Sequence, residues 1–66
     1  MKVRINGEMQ EVRENITITE LLEDLGIRSP FIAVAVNREI VPKTAYLTTT
    51  IQEGDTIEIV HPVQGG

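Results

Sequence analysis

Residues 16–26 read ITITELLEDLG, and this stretch contains a complete helix signal. Thr17 is a suitable N-cap, and Glu20 three positions later completes a capping box. Gly26 suits the left-handed position that often follows the last turn of a helix. Apolar residues recur at the spacing of one helix face: Ile18, Leu21, Leu22 and Leu25. The pattern predicts one amphipathic helix over residues 18–25.

The residues before the helix predict a β-hairpin. Polar and apolar residues alternate over 2–5, which is the period of a half-buried strand. Asn6-Gly7 follows, and both residues tolerate the positive φ that a tight type I′ turn requires. Residues 8–13 then return as a second strand, with Val12 facing the core.

The residues after the helix predict three more strands. Residues 31–37 are almost continuously apolar, which is typical of a central strand covered on both faces. Asn37-Arg38 turns the chain into a short strand over 39–41, and residues 43–52 are expected to be irregular. A turn at residues 53–55 leads to a last strand over 56–61.

This order of elements predicts an α+β fold of the β-grasp, or ubiquitin-like, type. The helix joins the second and third strands, so the chain can return parallel to itself in a right-handed crossover. One main helix would then lie on one face of a mixed sheet of four to five strands. We expect a single domain over residues 1–62. Residues 63–66 show no helix or strand signal and are expected to form a flexible C-terminal tail ending in Gly-Gly.

Composition excludes several classes of function. The chain has 66 residues, a net charge of -4, no Cys, no Trp and one His. A thiolate zinc site, a disulfide or a thiol nucleophile is therefore impossible, and an acidic chain with two aromatic residues is poorly suited to nucleic acid. The apolar runs are too short for a membrane span. We expect a cytoplasmic protein with no bound metal or cofactor, too small to enclose a catalytic cleft.

The C-terminal Gly65-Gly66 is the sharpest functional signal. Glycine has no Cβ, so such a tail can enter a narrow channel and present a terminal carboxylate to another protein's active site. That carboxylate is ionised at neutral pH and can attack the α-phosphate of ATP. The alternative is an idle, frayed end, which composition alone leaves open. His61 stands without a paired nucleophile, and no nucleotide-binding loop or catalytic triad appears.

A second candidate site is the sheet face that points away from the helix. Strand alternation places Ile32, Val34 and Val36 on the helix side, and Ala33 and Ala35 on the other. Val60 of the last strand shares that outer face. Small apolar residues on an uncovered face predict a docking surface for a partner protein.

The sequence resembles the ThiS family, the sulfur carriers of thiamin biosynthesis, over its whole length. The resemblance rests on Thr17 with Leu21-Leu22, on VAVN and IVP at residues 34–37 and 40–42, on Gly54-Asp55, and on the terminal QGG. Tyr46 stands where family members often carry Trp.

The resemblance implies a mechanism in which this chain is a carrier and not an enzyme. A partner adenylyltransferase (ThiF-like) uses ATP and magnesium to activate the terminal carboxylate. Sulfur from a donor such as a cysteine desulfurase then replaces AMP, and thiazole synthase (ThiG-like) consumes the thiocarboxylate. Gly66 would hold the sulfur, with Gly65, Gln64 and Val63 giving access to the partner's site. The free protein is expected to be a monomer that binds neither nucleic acid nor membrane.

Three alternatives share the predicted fold. The small subunit of molybdopterin synthase uses the same tail chemistry but is usually longer, with a tail closer to PVAGG than to PVQGG. A ubiquitin-like modifier would join its glycine to a lysine of a target protein. A β-grasp binding module would leave the tail unused.

Overall fold

The computed structural model describes residues 1–28 and 30–61. Its strands are β1 (Lys2–Ile5), β2 (Glu8–Glu11), β3 (Ala33–Val36), β4 (Glu39–Val41) and β5 (Thr56–Val60). They form one sheet in the order β2-β1-β5-β3-β4, in which β1 and β5 are parallel and the other neighbours antiparallel. The helix α1 (Ile18–Asp24) follows β2. The predicted β-grasp arrangement is confirmed.

Several predicted elements are shorter in the structure. Strand β2 ends at Glu11 and not at residue 13, although the Val12 amide still donates to the Met1 carbonyl at 2.8 Å. The helix ends at Asp24, with Leu25 as its C-cap. Strand β3 covers 33–36 instead of 31–37, and β5 ends one residue before His61. A strand ends where its hydrogen-bonded pairing with a neighbouring strand ends, and the apolar runs in the sequence continue past those points.

Residues 33–36 form an interior strand of the sheet, as predicted: β3 lies between β5 and β4, and β5 is the middle strand. The prediction that this strand is covered on both faces is wrong, because Val34 is fully buried on the core side whereas Ala33 on the other side is only partly buried. Two of the apolar residues here, Ala33 and Ala35, have short side chains, which lengthened the apolar run without indicating a second layer.

Both predicted helix caps are present. The Thr17 hydroxyl accepts from the Glu20 amide at 3.1 Å, and the Glu20 carboxylate accepts from the Thr17 amide at 3.0 Å. At the other end Gly26 has φ +74, its amide donates to the Glu23 carbonyl, and the Ile27 amide donates to the Leu22 carbonyl. This is the Schellman pattern, which satisfies carbonyls that a helix end would leave unpaired. Such complete capping favours a helix of only two turns.

The core fills the space between α1 and one face of the sheet. Its buried residues are Val3, Ile5, Ile16, Ile18, Leu21, Leu22, Ile32, Val34, Ile51, Ile57 and Ile59. The segment 43–52, expected to be irregular, contains a short 3-10 helix (Lys43–Ala45) and the 1%-exposed Ile51. The Ile51 amide donates to the Ile16 carbonyl at 2.8 Å, so this segment closes the side of the core next to the start of α1.

Candidate functional site: the end of β5 and the outer sheet face

The last described residues emerge at one end of the sheet, where the chain leaves the middle strand β5; we call this point the β5 corner. Because β5 is parallel to β1, its carboxyl end lies beside the Asn6-Gly7 turn that ends β1. On the other side Val60 is the register partner of Ala33, the first residue of β3. His61 follows and is exposed. The predicted sulfur site Gly66 and its neighbours Gly65, Gln64 and Val63 lie outside the described residues.

Asn6 has a contact at this corner that sequence analysis did not anticipate. It has φ +51, as the predicted tight turn requires. Its carboxamide oxygen accepts from the Ile59 amide at 2.8 Å, and its carboxamide nitrogen donates to the Ile59 carbonyl at 3.3 Å. The partner is 53 positions away in sequence, so an Asn-Gly turn signal could not reveal it.

The outer sheet face carries a contiguous set of apolar residues. Register pairs Ala33 with Val60 and Ala35 with Ile40, and partners in a sheet project on the same side. We call Ala33, Ala35, Ile40 and Val60 the outer patch. Ile40 is 71% exposed and Val60 is 57% exposed. Their side chains therefore supply most of the apolar surface that a partner could cover.

The structure corrects the predicted contribution of Ala35. This residue faces away from Val34, as strand alternation requires, but it is only 8% exposed. Its short side chain lies between the longer Ile40 and Glu58, its partners on the neighbouring strands. Sequence analysis missed Ile40. Alternation within β4 could have found it, because Val41 pairs with the buried Val34 and Ile40 must then face outward.

Charges of both signs surround the outer patch. Arg4 and Thr56 are register partners on the same outer face, and Lys2 lies further along β1. Glu58 projects between Ala35 and β1. On β2, Glu11 and Met9 are the register partners of Lys2 and Arg4 on this face. The β1–β2 side of the outer face therefore carries charges of both signs beside Met9, whereas the β3–β4 side is apolar, and this difference gives a docking partner a guide to orientation.

The other polar residues considered from sequence are not brought to this corner. Glu20 is engaged in the capping box, and the Asp24 carboxylate accepts from Arg13 at 3.2 Å on the exposed side of α1. Among the described residues no group of three or more His, Asp or Glu side chains is placed to hold a metal. The described helices, of seven and three residues, are too short to span a bilayer.

Several known proteins are similar to this chain in sequence. A sulfur carrier protein ThiS from Escherichia coli is 32% identical over all 66 residues and over its own full length. A thiazole synthase from Paramagnetospirillum magneticum is 42% identical over the whole chain, which spans only 20% of that protein. A second thiazole synthase, from Magnetococcus marinus, is 36% identical over the whole chain, and the chain again spans 20% of that protein.

The fold is also similar to a solved structure. The crystal structure of a thiamine biosynthesis protein (ThiS) from Geobacter metallireducens superposes with a TM-score of 0.88, at 30% identity and with full coverage of both chains. The model of the ThiS family matches residues 3–66, which includes the last two glycines. A match over nearly the whole chain is decisive: this chain belongs to the ThiS family.

Proposed function

We propose that the chain is the sulfur carrier of thiamine biosynthesis and that the Gly66 carboxylate is the sulfur attachment point. The observation that carries the proposal is the extent of the family match, which runs through Gly65-Gly66 to residue 66. The E. coli sulfur carrier, matched over its full length, supports the same reading. A cytoplasmic site of action fits a reaction that consumes ATP.

The chemistry begins with activation of the carboxylate by a partner adenylyltransferase, which supplies the site for ATP and magnesium. A Gly66 carboxylate oxygen attacks the α-phosphorus, pyrophosphate leaves, and an acyl adenylate forms. A donor such as a cysteine desulfurase holds the sulfur as a persulfide, whose outer sulfur attacks the acyl carbon and displaces AMP to give an acyl disulfide. A thiol then attacks the donor's sulfur of that S–S bond, is oxidised to a disulfide with the donor, and releases the chain as a thiocarboxylate. In this scheme the chain is a cosubstrate, and its partners provide the catalytic groups.

The tail's length limits where the partner can bind. Five residues follow His61, and an extended segment of that length spans at most about 17 Å. The partner's active site must therefore lie close to the corner where β5 ends. The outer patch begins at that corner with Val60 and Ala33, which favours it as the docking surface for the adenylyltransferase.

Thiazole synthase is the acceptor that we propose. The two thiazole synthases similar to this chain each include a region that the chain matches along its whole length. A carrier domain within an acceptor enzyme places the sulfur beside its consumer at a high effective concentration. Where the sulfur carrier and the thiazole synthase are separate chains, the two proteins need a docking surface. The outer patch is available for that contact.

The test is the intact mass of the protein after incubation with adenylyltransferase, ATP, magnesium and a sulfur source. We expect a gain equal to the replacement of one oxygen by sulfur. The control is deletion of Gly66, which moves the terminal carboxylate by one residue, roughly 3.5 Å, and so out of reaction geometry. The variant should fold normally and gain no sulfur.

Other outcomes would contradict the proposal in identifiable ways. Attachment of the chain to a lysine of another protein would favour the ubiquitin-like modifier. A thiocarboxylate consumed by molybdopterin synthase but not by thiazole synthase would favour the molybdopterin reading. Full sulfur transfer by the Gly66 deletion would exclude Gly66 as the attachment point.

A further inference from the structure

Two asparagines hold β5 at opposite ends. Asn6 begins the β1–β2 turn with φ +51, and Asn37 begins the β3–β4 turn with φ +52. Each carboxamide oxygen accepts from a main-chain amide of β5, that of Ile59 at 2.8 Å for Asn6 and that of Thr56 at 3.0 Å for Asn37. Asn6 therefore contacts the end of β5 from which the tail leaves, and Asn37 contacts the other end.

The Asn6 side chain continues the pairing of β1 with β5 beyond the point where β1 turns away. The main-chain amide of Asn6 donates to the Ile57 carbonyl at 2.9 Å. One step further along β5, the carboxamide bonds both the amide and the carbonyl of Ile59. The carboxamide thus supplies both the acceptor and the donor that a continued parallel strand would offer to Ile59 from two different residues, a main-chain carbonyl and the main-chain amide two positions later.

This contact determines how far β5 is hydrogen-bonded on the β1 side. Ile59 is held by Asn6 on one side, and Val60 pairs with Ala33 on the other. Without the carboxamide, main-chain bonding on the β1 side would stop at Ile57, and Glu58 to Val60 would be held by β3 alone. Fraying of these residues would lengthen the tether between the paired part of β5 and Gly66, and the effective concentration of a tethered group falls as its tether lengthens.

We propose that Asn6 is a positioning residue for the C-terminal carboxylate, acting through Ile59 to fix the point from which the tail reaches its partner. This inference rests on the proposed carrier function. Docking depends on the outer patch, of which only Val60 lies in the segment that Asn6 steadies, whereas delivery depends on the tail. Loss of the Asn6 contact should therefore lower kcat for adenylation by a larger factor than it raises KM for the carrier.

The test compares Asn6→Gly with Asn37→Gly. Both variants keep a residue that tolerates positive φ at the first turn position, and both remove one carboxamide from β5. Asn37→Gly is the harsher control, because it also removes a 3.0 Å hydrogen bond to the Asp55 carboxylate. Rates of ATP-dependent adenylation are measured against carrier concentration, and amide hydrogen exchange is followed at residues 56–61.

We expect Asn6→Gly to lower kcat roughly tenfold. This factor corresponds to the conformational entropy lost when about one additional residue must be ordered in each productive encounter. Exchange should accelerate at Ile59 and Val60. Asn37→Gly should keep kcat within about twofold of wild type and accelerate exchange only near Thr56.

A wild-type kcat for Asn6→Gly, or an equal loss in both variants, would overturn the inference and leave the carrier function intact. A rise in KM alone would overturn it as well, since it would indicate that Asn6 contacts the partner directly. A wild-type protein that accepts no adenylate at all would instead overturn the proposed function, together with this inference.

Discussion

Replacing the two exposed residues of the outer patch by threonine tests whether this surface docks the adenylyltransferase. Ile40 and Val60 are 71% and 57% exposed, so most of their apolar area is available to a partner. Threonine keeps the branched Cβ that strands favour. Ala35→Glu is a poorer probe: at a position only 8% exposed, the new carboxylate would face Glu58 across the strand pair and destabilise the sheet.

The magnitude follows from the apolar groups removed. Ile40→Thr removes about two methyl or methylene equivalents from the interface and Val60→Thr about one, at about 0.8 kcal/mol each. The double variant should therefore lose about 2–3 kcal/mol of binding free energy, a rise in Kd of roughly 30- to 150-fold. Because both side chains are already largely exposed in the free protein, its unfolding free energy should change by less than about 1 kcal/mol.

Titration calorimetry with the adenylyltransferase measures Kd, and urea unfolding measures stability. Leu47→Thr is a matched control, because Leu47 is 70% exposed but lies beside the start of α1, where the Tyr46 carbonyl accepts from the Thr19 amide. Its Kd should stay within about twofold of wild type. The docking argument is refuted if the double variant binds as tightly as wild type, or if Leu47→Thr weakens binding equally.

Two further predictions concern stability. Thr17→Ala removes the hydroxyl that accepts from the Glu20 amide. It should lower the unfolding free energy by about 1 kcal/mol and the Tm by roughly 4–8 °C. An unchanged Tm would show that the cap is dispensable. Arg38 has φ +71, a conformation that disfavours any side chain with a Cβ, so Arg38→Gly should raise the unfolding free energy by about 0.5–1 kcal/mol in urea titrations. A loss of stability would mean that the Arg38 side chain compensates for its backbone.

Local signals predicted the elements of this fold well. The capping box at Thr17, the left-handed Gly26 and the Asn6-Gly7 turn each depend on residues within a few positions of one another, so their physical chemistry can be read directly from the chain. The alternation of Ile57 and Ile59 with Glu58 and Val60 likewise indicated which face of the last strand is buried.

Features that depend on distant residues were predicted poorly. Ile51 was assigned to an irregular segment, and its burial becomes evident only when that segment packs beside Ile16. The apolar run at 31–37 correctly indicated an interior strand but also suggested cover on both faces, and whether a second layer covers the outer face is decided by how segments far apart in sequence pack.

The sequence by itself determined the β-grasp class, the capped helix and the diglycine end, because each is encoded by composition or short-range spacing. Only the tertiary structure decided what surrounds the carboxyl end of β5, the last described strand before the diglycine. Parallel pairing of β1 with β5 brings Asn6 to Ile59, and antiparallel pairing of β3 brings Ala33 to Val60. These contacts join residues that are 27 to 53 positions apart, and strand register, which no local pattern specifies, sets them.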